Sequence, residues 1–326
     1  MMSLVMAAFL STTSPEQPAA HEAAYTLAAE VRIRRGFYPH NEQVTRCGIH
    51  PPTSIPIFVV GTSHSGTTLV KSELARFPAV YDVAPMVHKK DNGETWLWSR
   101  HRDDWQYLWQ VTTRWAKQCL EEANGTKLTW VEKTPKHVLV AGEIKRYFPK
   151  ARFVLTARDP RDNLVSLLKR HEPKDKAQGL PRNASARKWT SYIAAYGDAS
   201  LKVERSFPND TYAIRLEDLQ ANCVEVMRRL ATWLGLGPVD EARQCKGKRE
   251  SAGRTEGGTG TNHHQPQAGK LSHLQLRHFE MTQAVSNRSQ GLWHKALSRG
   301  EVDDIQSEPR LVRFMKRFDY MHMRGE

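Results

Sequence analysis

The chain has 326 residues, of which 39% are hydrophobic and 9% aromatic, including nine Trp; this supplies the core of one large α/β domain or two small ones and excludes a chain disordered throughout. Lys plus Arg number 48 against 35 Asp plus Glu, and the resulting +13 favours an anionic partner such as a nucleotide, an acidic polymer or a lipid surface. The basic residues are spread along the chain, so charge alone selects no partner, and no nucleic-acid partner is expected. No run of about 18 apolar residues occurs, so no transmembrane segment is expected.

Residues 1–50 read as an N-terminal extension, with a helix expected around Glu22–Arg34. Its opening, MMSLVMAAFL, is apolar and precedes STTSPEQPAA. That is the pattern of a short targeting segment without its positive leader; an amphipathic or disordered start is the alternative. Four of nine Asn, at 124, 183, 209 and 287, lie in N-x-[ST] sequons, a composition that leans towards the secretory pathway and Golgi lumen rather than the cytoplasm. The four Cys, at 47, 119, 223 and 245, form no C-x-x-C, so no metal site is expected. Their even number permits disulfides without specifying pairs.

From Ile55 the pattern becomes regular, and residues 51–326 read as one domain. Ile55–Val60 is a buried strand by composition, Thr67–Phe77 a helix, and Val80–Val83 a second short strand. Thr95–Glu122 reads as a helix rich in Trp and Leu. Leu128–Val131 is a strand, and Lys136–Phe148 an amphipathic helix. Arg152–Ala157 is an apolar strand leading into a helix over Pro160–His171, with Asp159 as N-cap and Pro160 at the first helical position. A helix over Ala186–Arg205, a strand over Thr211–Leu216 and a helix over Val224–Leu234 follow. Residues 246–270 are Gly-rich and polar and read as a mobile loop, either an insertion or a lid. Leu292 to Tyr320 reads as helical. Strands alternating with helices predict an α/β fold, a single three-layer domain with a central parallel sheet, whose ligands bind at the carboxyl ends of the strands.

Three motifs fall at such ends. The first is GTSHSGTTLV, 61–70. Gly61 and Gly66 have P-loop spacing and Thr68 fills the hydroxyl position, but the lysine position holds Thr67. Backbone N–H groups of 63–68, comprising Ser63, His64, Ser65, Gly66, Thr67 and Thr68, can wrap an anion at the N-terminus of the following helix. Without the lysine, triphosphate chemistry is disfavoured; a sulfuryl group carries less charge and needs no metal. The second motif is VEKTPKH, 131–137, and the third is Arg158 with Ser166 eight residues on.

Together these segments resemble the sulfotransferases that use 3′-phosphoadenosine-5′-phosphosulfate (PAPS). His64-Ser65-Gly66-Thr67-Thr68-Leu69 resembles the family's 5′-phosphosulfate loop, with His64 where the family has Lys or Arg. Arg158 and Ser166 match its 3′-phosphate pair. VEKTPKH is similar to the E-K-T-P segment of the carbohydrate and tyrosylprotein branches. YAIRLEDLQANCVEVMRRLATWLGL resembles the late strand, E-D-L and helix block, with Leu216 where cytosolic members often have Tyr. GLWHKALS, 291–298, resembles the W-x-x-x-L-S segment. The likeness spans about residues 55–320, in order.

The resemblance implies in-line displacement of a sulfuryl group from PAPS, without metal, to a glycan or tyrosine hydroxyl, and it allows a homodimer. A small-molecule acceptor, a P-loop nucleotide kinase and a non-catalytic nucleotide sensor are the alternatives. His64 and Lys133 would stabilise charge on the bridging oxygen. Because histidine titrates near neutrality, activity should depend on pH. His88 and Glu94 are the candidates for the general base, with His137 outside them. Arg288 and Lys295 are candidates to complete the 3′-phosphate or adenine cradle.

Overall fold

The computed structural model describes residues 55–83, 94–101, 104, 107, 108, 110–112, 114, 115, 129–240, 245 and 289–321. The expected extension over 1–50, the loop over 246–270, His88, Arg288, and the sequons at 124 and 287 lie outside these residues.

Five parallel strands form one sheet in the order β2-β3-β1-β4-β5. They are β1 (Ile57–Gly61), β2 (Val80–Asp82), β3 (Thr129–Lys133), β4 (Arg152–Ala157) and β5 (Thr211–Arg215). Such strands are covered on both faces and so read as nearly continuous apolar runs, as IFVVG and RFVLTA do. The period of two sorts their side chains. Ile57, Val59, Val131, Val154 and Ile214 pack with Val70, Leu74, Met227 and Leu230. These helical residues come from α1 (Thr67–Leu74) and from α7 (Cys223–Leu234), counted in the order given below.

On the opposite face Phe58 meets Trp98 at 5.1 Å and Trp130 at 5.4 Å between ring centroids, with Phe148 beside them. Each edge-on aromatic pair of this kind adds roughly 0.5–1.5 kcal/mol beyond its burial. The three layers expected from the alternation of elements are present.

The remaining helices are α2 (Leu97–His101), α3 (Ala141–Tyr147), α4 (Pro160–Ala177), α5 (Arg182–Ser206), α6 (Leu216–Ala221), α8 (Trp293–Ala296), α9 (Arg299–Ser307) and α10 (Pro309–Arg317). Several boundaries differ from the sequence reading. The long helix expected from Thr95 is only five residues long at Leu97–His101, and the described positions between 107 and 115 are helical separately. Lys136–Phe148 is not one helix: a 3-10 turn over Pro135–Val140 precedes α3.

Helix α4 runs six residues past His171, through Pro173. Its last turns are held by Asp175, which accepts from Ser185, Lys188 and Trp189 of α5. That tertiary anchor overrides the helix-ending preference of the residue before proline. The C-terminal stretch divides at Ser298, which forms a capping box with Glu301, and at Pro309, which opens α10.

Cys223 is bonded to Cys245, 22 residues on, with Cα atoms 5.7 Å apart. Closing a loop of that size stabilises by about 3 kcal/mol in chain entropy. The Cys245 N–H donates to Glu73 on α1 at 2.9 Å. Glu73, Cys223 and Cys245 therefore cluster as a tied corner, with both sulfurs engaged in the disulfide.

Candidate active site

Strands β3, β1 and β4 are neighbours at the centre of the sheet, and each of the three motifs leaves the carboxyl end of one of them. From β1 the chain goes to β2 and β3 on one side; from β4 it goes to β5 on the other. Diverging connections of this kind open a crevice at the strand ends.

The β1 end is shaped by two glycines. At Gly61, φ 141°, an added Cβ would meet the Thr156 carbonyl oxygen at 2.4 Å, so a side chain there would force β1 and β4 apart. At Gly66, φ 93°, a Cβ would meet Leu216 Cδ1 at 2.7 Å. Leu216 thus closes against the loop.

Ser65 is turned inward. Its N–H and its hydroxyl both donate to the Thr62 carbonyl, at 3.2 and 2.6 Å, and its Oγ lies 2.6 Å from Thr156 Oγ1. Ser65 therefore sets the shape of the turn. Ser63 Oγ lies 2.7 Å from the Tyr192 hydroxyl, and the Ser63 carbonyl accepts from Asn163 Nδ2 at 3.0 Å. Thr67 is buried and Thr68 half-buried at the start of α1, which has no acidic residue in its first turn to compete with a bound anion.

His64 is in the left-handed region, φ 68°, where His is enriched among non-glycine residues. Its Nδ1 is 2.8 Å from Ser166 Oγ, and its carbonyl accepts from Arg158 Nη1 at 3.0 Å. The loop and the Arg158/Ser166 pair are thus joined through one residue. His171 lies 6.2 Å from the His64 ring and stacks on Trp189 at 4.3 Å. Burial, reinforced by the Arg170 charge, holds His171 down to about 4, so it is neutral at pH 7 and does not oppose a cationic His64.

At the β4 end, Arg158 Nη2 also donates to the Ser289 carbonyl at 2.9 Å. Burial lowers its pKa, and the carboxylates of Asp162, Glu217 and Asp159 oppose that shift. The acids that follow are structural. Asp159 caps α4 and pairs with the buried Arg161 at 2.6 Å. Asp162 accepts from Gly291 N–H at 2.7 Å and Trp293 N–H at 3.1 Å. Glu217 accepts from Asp159 N–H at 2.9 Å and from the Tyr320 hydroxyl at 2.7 Å. These bonds dock the GLWHKALS segment and the chain end against the arginine-bearing turn. Lys295 is exposed on α8.

At the β3 end, Lys133 Nζ donates to Glu94 Oε1 at 2.9 Å. Desolvation pushes the Lys133 ammonium below its ordinary range, while the Glu94 carboxylate pulls it back. A second lysine with a carboxylate partner sits nearby, Lys71 on α1 with Asp82 at 2.6 Å. Asp82 ends β2 while Glu94 lies just before α2, and the Lys71 charge is felt at Lys133.

The structure therefore brings His64, Arg158 and Ser166 into one hydrogen-bonded set, holds the neighbouring Ser63 through Tyr192 and Asn163, and pairs Lys133 with Glu94. The sequence reading passed over Lys71, Asp82, Asn163, His171 and Tyr192. Their signal was weak: they lie on helices or a strand end with no motif spacing, and only the fold brings Asn163, His171 and Tyr192 to the loop and the Lys71–Asp82 pair towards Lys133.

A model of the sulfotransferase family matches residues 56–241, more than half of the chain. No curated protein matches. Among solved structures, the sulfotransferase domain of the Synechococcus PCC 7002 olefin synthase is 16% identical at a TM-score of 0.51, over 82% of this chain and 96% of that one. Sulfotransferase STF9 from Mycobacterium avium is 16% identical at a TM-score of 0.44, over 71% of this chain and 76% of that one. The sulfotransferase domain of the curacin biosynthetic pathway is 15% identical at a TM-score of 0.45, over 82% and 98%. The residues matched by the family model contain the loop, the Lys133 segment and the Arg158/Ser166 pair, and the chain belongs to the sulfotransferase family.

Proposed function

We propose that the protein transfers the sulfuryl group of PAPS to a hydroxyl of a glycan or a peptide tyrosine, without a metal. The observation that carries this reading is the hydrogen-bonded set of His64, Ser166 and Arg158, which links the loop at one strand end to the guanidinium at the next. N–H groups of the loop and the start of α1 face a phosphosulfate, and Arg158 pairs with the 3′-phosphate. The acceptor oxygen attacks sulfur while the bond from sulfur to the bridging oxygen breaks. The electron pair leaves on the adenosine bisphosphate, where His64 and Lys133 stabilise it. Glu94, held against Lys133, takes the acceptor proton. The E-K-T-P resemblance favours the glycan and tyrosine branches over small-molecule acceptors. The Cys223–Cys245 disulfide, with exposed sequon residues Asn183 and Asn209, supports an oxidising, glycosylating compartment such as the Golgi lumen.

Purified protein is expected to bind adenosine 3′,5′-bisphosphate in the presence of chelator, with a thermal midpoint that rises with ligand concentration. Arg158→Ala should weaken that binding by about 1.5–3 kcal/mol, the range for a hydrogen-bonded charge, and should weaken adenosine 5′-monophosphate much less. Equal losses for both nucleotides would make Arg158 a brace between the loop and Ser289. A response to ATP with magnesium alone would favour the kinase reading.

A further inference from the structure

Strand β3 ends in two adjacent charged residues, and the alternation of the strand sends them to opposite faces. Lys133 meets Glu94. Glu132 meets neither; it is fully buried, as are Thr134 and His137 beside it. A carboxylate taken out of water is costly unless its lone pairs are filled.

Here they are filled by specific neighbours. Glu132 Oε1 accepts from the Thr95 hydroxyl at 2.8 Å and the Thr134 hydroxyl at 2.5 Å, with the Thr95 N–H at 3.4 Å. Oε2 lies 2.9 Å from His137 Nδ1. Burial raises the Glu132 pKa, but His137 and the two hydroxyls more than offset this, so the group stays an ionised acceptor. The Thr134 hydroxyl in turn accepts from the N–H groups of Thr95, at 3.0 Å, and Trp96, at 3.3 Å. The Thr95 hydroxyl accepts from Leu97 N–H at 3.3 Å, where α2 begins.

Five of these bonds have a partner in residues 95–97, and the Thr134 and His137 contacts hold the Glu132 carboxylate that anchors them. Trp96 is there at φ 54°, a left-handed conformation that a bulky residue holds only when its surroundings fix it. One residue before Thr95 is Glu94, whose Oε1 is 2.9 Å from Lys133 Nζ.

We propose that Glu132 is a positioning residue: through the hydroxyls of Thr95 and Thr134 it locks the turn at 95–97 and so holds the Glu94 carboxylate against Lys133. The adjacent residues 132 and 133 then form the two ends of one loop of contacts: β3 to Thr95, Thr95 to Glu94, and Glu94 back to β3. The importance of this device for turnover rests on the sulfotransferase reading, but its geometry does not.

The test therefore uses neither donor nor acceptor. Lys133 reactivity towards acetic anhydride is followed against pH by peptide mass spectrometry in the full chain. Thr95→Val removes the hydroxyl donor to Glu132 at nearly constant shape; Thr95→Ser keeps it. In Thr95→Val, Glu94 is released and the reactivity midpoint of Lys133 is expected to fall by about one pH unit or more, the shift expected when a neighbouring opposite charge is lost. Thr95→Ser is expected to overlay the wild type. Thr134→Val, which removes the acceptor for the Thr95 and Trp96 N–H groups, should shift the midpoint in the same direction and serves if Thr95→Val does not fold. A Thr95→Val or Thr134→Val profile superimposed on wild type, or a Thr95→Ser shift as large as that of Thr95→Val, overturns the proposal. Because the readout needs no sulfuryl transfer, an inactive protein with the predicted shift would refute the proposed function and leave the positioning role standing.

Discussion

Lys133→Met is expected to lower sulfuryl-transfer turnover by about 10²–10³-fold, or ~2.7–4 kcal/mol, the scale for removing one preorganised charge or donor at a developing oxyanion. Lys133 leaves the carboxyl end of β3 with almost no exposure, beside the loop-bearing end of β1; Val59 and Lys133 are register partners. A buried ammonium acts in a low dielectric, so its field on a departing oxygen bound beside it would be little screened. Affinity for adenosine 3′,5′-bisphosphate should change much less than turnover, because the stabilised charge appears mainly in the transition state.

Glu94→Gln should also lower turnover, by about 10²–10⁴-fold if Glu94 takes the proton. Since Lys133 and Glu94 are bonded to each other, the double variant should lose far less than the product of the single losses. Fully multiplicative losses would show that the two act separately. An undiminished Glu94→Gln turnover would move the general-base role to His88.

The second large effect belongs to His64. If its imidazolium stabilises the bridging oxygen, turnover at saturating PAPS must fall as pH rises through the range in which the ring loses its proton, provided a chemical step limits the rate. The sign follows from the active form being the protonated one: activity is present at the acid side of that range and lost at the alkaline side. The neutral His171 beside it does not titrate in the same window, since it is held to about 4. His64→Lys restores the family's usual charge and is expected to remain active with the alkaline decline abolished. His64→Ala removes the ring and should reduce turnover by about 10²-fold or more while changing donor affinity less. Because His64 occupies a left-handed conformation at φ 68°, His64→Gly is the companion variant: it relieves the backbone and still lacks the imidazole. Recovery of turnover in His64→Gly would show that the backbone shape matters and the ring does not; near-wild-type turnover in His64→Ala with an unchanged pH profile would leave Lys133 carrying the chemistry alone.

Much of this arrangement was legible in the sequence because it is local. Strand, glycine turn and helix follow one another within 57–74, and short, nearly continuous apolar runs identify strands that are covered on both faces. Arg158 and Ser166 are eight residues apart on one strand–helix unit. What could not be read is what depends on distant partners. The extension of α4 through Pro173 rests on Asp175 meeting α5. The inward turn of Ser65 rests on Thr156, and the hold on Ser63 rests on Tyr192, 129 positions away. The role of Glu132 was hidden beside a more conspicuous lysine, since a single glutamate in a strand gives no sign of which hydroxyls the fold will bring to it. The split of the C-terminal helices at Ser298 and Pro309 was, by contrast, written in capping residues that an apolar periodicity alone passes over.

The most direct measurement is the transfer of ³⁵S from labelled PAPS, in chelator, to a panel of glycans, tyrosyl peptides and small alcohols and phenols, with adenosine 3′,5′-bisphosphate measured as co-product. The account predicts labelled sulfate ester on a glycan or tyrosyl acceptor in equal amount to the bisphosphate released, abolished in Lys133→Met and retained in His64→Lys. No transfer to any acceptor by a protein that binds the bisphosphate would make it a nucleotide-binding protein on a sulfotransferase fold, and transfer that requires magnesium would contradict the mechanism derived from His64, Lys133 and Arg158.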